Sequence, residues 1–249
     1  MEPERFSAKI GSCFLLFFTP FAIYLTTLCP TMYWRDAPEF QVVGYQLGIA
    51  HPAGSPVYAL VAKIFTSIPF GSIAFKTNLV SAFFGALLIF LVFLLIINCL
   101  GFIFPVKGNR LSTLAATLAV SFYAVSMSLW HNSIVAEVYT LQNCFIVSIA
   151  ILLLRGVRES RKPLIYLAAF LFGLSTGAHI IMILYIPASL LFIWLFYRRF
   201  FTPHNLGIIV MFLILGASIY LYLPARSSAN PYYDWGNPEN AENFVTHVT

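Results

Sequence analysis

The chain has 249 residues, of which 60% are hydrophobic and 9% charged, with a mean hydropathy of +0.85. Soluble domains carry about a quarter charged residues, so this composition excludes an ordinary soluble enzyme or binding module and indicates a polytopic membrane protein. The net charge of +5 comes mostly from basic residues in short loops between apolar runs, where they set orientation, and it implies no nucleic-acid partner.

The first apolar run covers about 11–29. Arg5 and Lys9 precede it, as in a signal peptide, but it is long for an h-region and no small-x-small cleavage site follows, so it reads as a span. Directly after it, in Tyr33-Trp34-Arg35-Asp36-Ala37-Pro38-Glu39-Phe40, two carboxylates stand just outside the membrane. Asp-x-x-Glu ahead of an apolar run is also a helix capping box, with Asp36 as cap and Glu39 at the third helical position. The two roles are compatible, because a capping aspartate is oriented and kept ionised by the helix dipole and remains a proton acceptor.

The loop of about 30–76 carries more order than a simple connection. A short helix is predicted from Ala37 to about Leu47, closed by Gly48, and a second one after His51-Pro52-Ala53-Gly54-Ser55-Pro56, with Ser55 as cap and Pro56 in its first turn. Val57, Leu60, Val61, Ile64, Phe65 and Ile68 recur on one face of that second helix, and Ala59, Ala62, Lys63, Thr66 and Ser67 on the other. Such a segment should lie in the headgroup plane.

Six further runs follow at about 77–104, 111–129, 138–154, 163–179, 180–197 and 205–223, each near the ~20 residues that cross ~30 Å of hydrocarbon. The break between the fifth and sixth spans rests on Gly173, Gly177 and His179, with room only for a tight reversal. A cytoplasmic N-terminus puts Arg5, Lys9, Lys107, Arg110, Arg155, Arg158, Arg161, Lys162, Arg198 and Arg199 inside, and only Arg35, Lys63, Lys76 and Arg226 outside, as the positive-inside rule asks. The expected architecture is therefore an all-α polytopic membrane protein of about seven transmembrane helices, with amphipathic juxtamembrane helices in its first outer loop. A tail over 224–249 also lies outside. Cys13, Cys29, Cys99 and Cys144 lie in or beside apolar runs without metal-ligand spacing and read as small hydrophobes.

Acidic residues gather on the outer side: Asp36, Glu39, Glu137, Asp234, Glu239 and Glu242, against Glu2, Glu4 and Glu159 inside. Glu137, at the start of the fourth span, needs a partner, a ligand or water, since an unpaired carboxylate near hydrocarbon is costly, unless it simply complements a helix N-terminus. His51 and His179 lie on the same side, as substrate contacts or as hydrogen-bonded structural residues. Arg226 stands where the charge rule would not choose a cation, either snorkelling to headgroups or gripping a phosphate. Tyr232, Tyr233 and Trp235 read as an interfacial aromatic belt. No glycine-rich phosphate loop, His-Glu-x-x-His helix, Gly-x-Ser-x-Gly elbow or Asp-x-Asp motif appears, which turns attention to a donor held by the bilayer.

Motifs along nearly the whole chain resemble one family. They are Trp34-Arg35-Asp36-Ala37-Pro38-Glu39-Phe40, Leu47-Gly48-Ile49-Ala50-His51-Pro52-Ala53-Gly54-Ser55-Pro56-Val57-Tyr58, Pro69-Phe70-Gly71 with Asn78-Leu79, Ala136-Glu137-Val138-Tyr139-Thr140-Leu141, Gly177-Ala178-His179, and Tyr222-Leu223-Pro224-Ala225-Arg226 with Asn230-Pro231 and Asp234-Trp235-Gly236. In order and spacing the chain resembles the GT-C membrane glycosyltransferases, in the branch of the animal receptor O-mannosyltransferases and of many bacterial proteins known only as a domain of unknown function.

The resemblance implies a GT-C transmembrane module over 1–249, a polyprenyl-phosphate sugar as donor, most often mannose, and transfer to a hydroxyl of a protein or glycan acceptor. It implies Asp36 as base with Glu39 beside it, while His51, Glu137, His179 and Arg226 are candidate substrate contacts by their own placement on the outer side. The sequence marks no certain cofactor and no metal ligands, and leaves a divalent-metal requirement open. The site would lie on the extracytoplasmic side of an integral, multi-pass membrane protein: plasma or inner membrane in a bacterium, endoplasmic reticulum in a eukaryote. Two departures from the family pattern are Ala53, where it has a second proline, and Ser55, where it has an aromatic. Family members also continue with further spans and a soluble region, and 243–249 reads as an unfinished amphipathic helix. A lipid-phosphate or small-molecule transporter is the main rival, although transporters show repeated halves and midplane sites. A non-catalytic assembly subunit of the same fold is the second.

Overall fold

The computed structural model describes residues 3–104 and 110–248, with side chains from Phe14 onward. Lys107, Glu2 and the side chains of Glu4, Arg5, Lys9 and Cys13, all used in the sequence reading, lie outside the described residues. Among the described residues the fold is all-helical, and its one extended pairing is an isolated parallel bridge between Ile49 and Asp234. In chain order the helices are α1 (Pro3–Thr26), α2 (Ala37–Gln46), α3 (Pro56–Thr66), α4 (Ile73–Ile103), α5 (Arg110–Ala124) and α6 (Met127–Ile134). There follow α7 (Tyr139–Arg158), α8 (Lys162–Thr176), α9 (Ile186–Phe196), α10 (Pro203–Ala217), α11 (Tyr222–Ser227) and α12 (Ala241–Val248).

Three helical segments are long and apolar enough to cross a membrane: Ile73–Ile103, Tyr139–Arg158 and Pro203–Ser227. A fourth is formed if α5 and α6, bent by 61°, are counted together. The other apolar runs form shorter helices, Phe14–Thr26, Lys162–Thr176 and Ile180–Phe196.

Gly173 does not interrupt its run, because α8 continues through it to Thr176 and only Gly177-Ala178-His179 breaks the helix. Its role is packing. A Cβ on Gly173 would collide with the Leu213 carbonyl oxygen, and one on Gly216 with that of Phe170, so α8 and α10 touch backbone to backbone. Small residues at a helix crossing allow that approach in lipid.

The first outer loop forms its two expected helices. Helix α2 ends one residue early, and its left-handed closing residue is Leu47 (φ 55°) rather than Gly48. Gly48 serves another purpose, since a Cβ there would meet the Tyr233 carbonyl oxygen at 2.8 Å. On α3 the small face turns inward: Ala59, Ala62 and Thr66 are buried, and Ala62 packs on Gly44 of α2. Leu60 and Ile64 point out, Ile64 at 71% exposure, which is the side a lipid surface would cover.

The core beneath this loop joins Phe40 and Val43 of α2, Tyr58 and Ala62 of α3, Val80 of α4, and Ala136 and Ala178 from two helix breaks. The tail closes over it. Ile49 donates to the Tyr233 carbonyl at 2.8 Å, Trp235 donates to Ile49, and the Tyr222 hydroxyl reaches the Gly48 carbonyl. Tyr233 is partly buried and packs against this core, while Tyr232 stays 87% exposed.

Candidate active site

Asp36, His51, Glu137 and His179 line one open cleft. They come from four chain breaks: the start of α2, the turn before α3, the link from α6 to α7, and the end of α8. Breaks free side chains from helical faces, and here four breaks meet at one end of the bundle.

The capping box does not form. Asp36 occupies the position before α2, but its side chain makes no cap hydrogen bond. Pro38 lies in the first turn and has no N–H to offer, and Glu39 is turned elsewhere. The Glu39 Oε2 lies 2.9 Å from His51 Nδ1, and Oε1 accepts the His51 backbone N–H. Glu39 is thus a clamp behind His51, its side chain 13% exposed, and Asp36 is left facing the cleft.

Two polar residues of α4 hold the opposing walls. Asn78 Nδ2 donates to the carbonyls of Cys29 (2.7 Å) and Thr31 (3.2 Å), fixing the strand of chain that leads to Asp36. Ser81 Oγ accepts the Glu137 backbone N–H at 3.1 Å and pairs with the Glu137 carbonyl at 3.2 Å. Both are fully buried, so one helical turn of α4 sets the spacing of the Asp36 and Glu137 segments.

Burial, and after it the negative charge of Asp36, push the Glu137 carboxyl up to about 7, against the opposing charges of Arg35 and His51. The carboxyl thus holds its proton well above the ordinary carboxylate range, and in its protonated form it can donate as well as accept. Burial also lowers His179, helped by the nearby His51 charge. His179 Nδ1 accepts the Ile181 N–H at 3.2 Å, which leaves Nε2 for the cleft.

Arg226 stands apart. Its Nε donates to the Leu47 carbonyl at 2.7 Å and its guanidinium to Gln46 at 3.0 Å, closing the C-terminus of α2. Among the described residues no three or more His, Cys, Asp and Glu side chains converge as a metal-holding group.

Sequence reasoning missed Tyr139, which lines the cleft beside His179 with ring centroids 6.1 Å apart. Its place two residues after Glu137 was the available signal. It also missed Trp235, whose ring edges His51 at 6.3 Å, because only folding of the tail brings them together.

The model of the family described as protein O-mannosyl-transferase TMEM260 N-terminal domain matches residues 36–203, about two thirds of the chain, and contains the four cleft residues. A mouse relative, protein O-mannosyl-transferase TMEM260, is 29% identical over 255 residues, covering 98% of this chain and 34% of its own length. A Dictyostelium discoideum relative of the same name is 26% identical over 262 residues, covering 96% of this chain and 30% of its own. The chain thus spans about a third of the length of the curated relatives it matches. No solved structure matches it. With the match beginning at Asp36 and running through every break that forms the cleft, the chain belongs to the TMEM260 N-terminal domain family of protein O-mannosyl-transferases.

Proposed function

We propose that this chain is the membrane module of an inverting GT-C-type glycosyltransferase that moves mannose from a polyprenyl-phosphate donor to a hydroxyl on a protein or glycan. The observation that carries this reading is the uncapped Asp36 side chain, facing a cleft shared with His51, Glu137 and His179. Asp36 takes the acceptor hydroxyl proton as the oxygen forms its bond to the anomeric carbon. The bond from that carbon to the phosphate oxygen breaks on the opposite side, and the polyprenyl phosphate leaves with the electron pair. General-base assistance is worth about 10²–10⁴-fold. Glu137 and the two histidines hold sugar hydroxyls, with Glu39 keeping His51 in place.

The seven apolar helices are read as spans, with the cleft on the outer side. The clustering of Arg155, Arg158, Arg161, Lys162, Arg198 and Arg199 supports this, since Arg199 reaches Ser160 at 3.2 Å and gathers both basic turns at one end. The test is incubation of the protein in native membranes with polyprenyl-phosphate [14C]mannose. Label on acceptor, lost in Asp36→Asn, is the expected result, and equal labelling by the two proteins overturns the reading.

A further inference from the structure

Four cations belong to the face that bears the cleft, and three of them hold backbone carbonyls. Lys63 Nζ donates to the Tyr45 carbonyl at 2.6 Å, Lys76 Nζ to Thr66 at 3.4 Å, and Arg226 to Leu47 and Gln46. Each closes the C-terminal end of a short helix, where a cation complements the dipole. Arg35 is different. Its contact among the described residues is a cation–π stack, with the guanidinium carbon 4.8 Å from the Trp34 ring centroid. That stack orients the planar group without consuming its N–H donors.

The backbone of Arg35 is also unusual, with φ at 67° in the left-handed region. A non-glycine residue is disfavoured there and persists where the surroundings impose it. Holding Arg35 in this state directs the exposed Trp34–Arg35 pair outward immediately before Asp36. The aromatic pair is braced in turn: Tyr33 packs edge-on against both Trp34 and His131. The Arg35 charge reaches the cleft, where it acts on Glu137.

We propose that Arg35 is the phosphate-binding residue of the cleft mouth, its free N–H fork gripping the phosphate of the lipid-linked donor beside the Asp36 base. This rests on the donor class proposed above. As the phosphate leaves, its charge rises, and a fork already fixed by Trp34 meets it without reorganisation. Arg226, committed to two backbone carbonyls, holds α2 in position.

The test is equilibrium binding of a fluorescent short-chain polyprenyl phosphate, and of the matching polyprenol, to protein in nanodiscs of phosphatidylcholine with and without added phosphatidylglycerol, with transfer measured in parallel. Arg35→Gly removes the fork while relieving the left-handed backbone, so the variant folds at least as well as wild type, checked by thermal melting. Polyprenyl phosphate should bind about tenfold or more weakly to Arg35→Gly, with polyprenol unchanged and Arg35→Lys between. Lys63→Met, which removes a cation already on a carbonyl, should keep wild-type affinity. Equal affinity of wild type and Arg35→Gly for the phosphate overturns the proposal and leaves the transferase reading standing. Arg35-dependent phosphate binding without transfer supports the site and defeats that reading. If Arg35 instead tracks bilayer phosphatidylglycerol content, with no preference for polyprenyl phosphate over polyprenol, the residue is a headgroup anchor and the proposal falls.

Discussion

Glu39 holds His51 at two points, the ring Nδ1 at 2.9 Å and the backbone N–H twelve residues along the chain. A carboxylate that is one half of an expected capping box thereby becomes the support of a cleft histidine, and it leaves Nε2 as the ring nitrogen not engaged by Glu39.

The two residues should act as a unit. Glu39→Gln and His51→Gln should each lower transfer, and the double variant should lose much less than the sum of the single losses, with a coupling of about 0.5–3 kcal/mol. Additive losses in rate measurements on the four proteins would separate Glu39 from His51.

Asp36 makes no side-chain cap, so Asp36→Asn removes a cleft carboxylate without removing a structural hydrogen bond. Transfer should fall by about 10²–10⁴-fold with thermal stability nearly unchanged. The Glu137 carboxyl should titrate lower in this variant, since the charge of Asp36 is one of the causes of its rise. Carbodiimide labelling of Glu137 against pH reads that shift.

Glu137 also makes stability depend on pH in a definite direction. Its folded value of about 7 lies above that of an exposed glutamate, so the folded state binds the proton more tightly. Stability from this group is full below the unfolded value of about 4.3, declines as pH rises through about 7, and is lost above it. Glu137→Gln should flatten the decline, gaining on the order of 2 kcal/mol over wild type at pH 8 and little at pH 4, once solvent screening is allowed for. Melting curves at the two pH values check it, and a wild-type profile rising between them would be the wrong sign.

The α8–α10 crossing should tolerate no side chain. Gly173→Ala and Gly216→Ala each place a Cβ against a facing backbone carbonyl, and each should destabilise by about 1–3 kcal/mol. Gly207→Ala, on the same α10 but with open space around it, should be neutral or stabilise by about 0.5–1 kcal/mol. The three melting temperatures give the comparison.

Arg226 supports the C-terminus of α2. Arg226→Ala should cost about 1–3 kcal/mol of stability and lower kcat more than it raises the donor KM, with part of both restored by Arg226→Lys. A loss confined to donor KM would return Arg226 to the phosphate.

The class of the molecule is legible in composition, because burial in lipid demands long apolar runs and leaves few charges. Pro56 and the apolar spacing after it likewise locate α3, and α2 is placed to within one residue of its end. Short polar signals were less decisive. Asp36-x-x-Glu39 suits a capping box and a cleft equally in one dimension, and only the folded turn brings His51 within reach of Glu39. The same holds for Arg226, whose partners Leu47 and Gln46 lie about 180 residues away in the chain, and for Gly173, which looks like a break until α10 is laid against it. Periodicity encodes which local segments are helical. Which polar side chain meets which depends on contacts between distant breaks in the helices, and those exist only when the bundle is assembled.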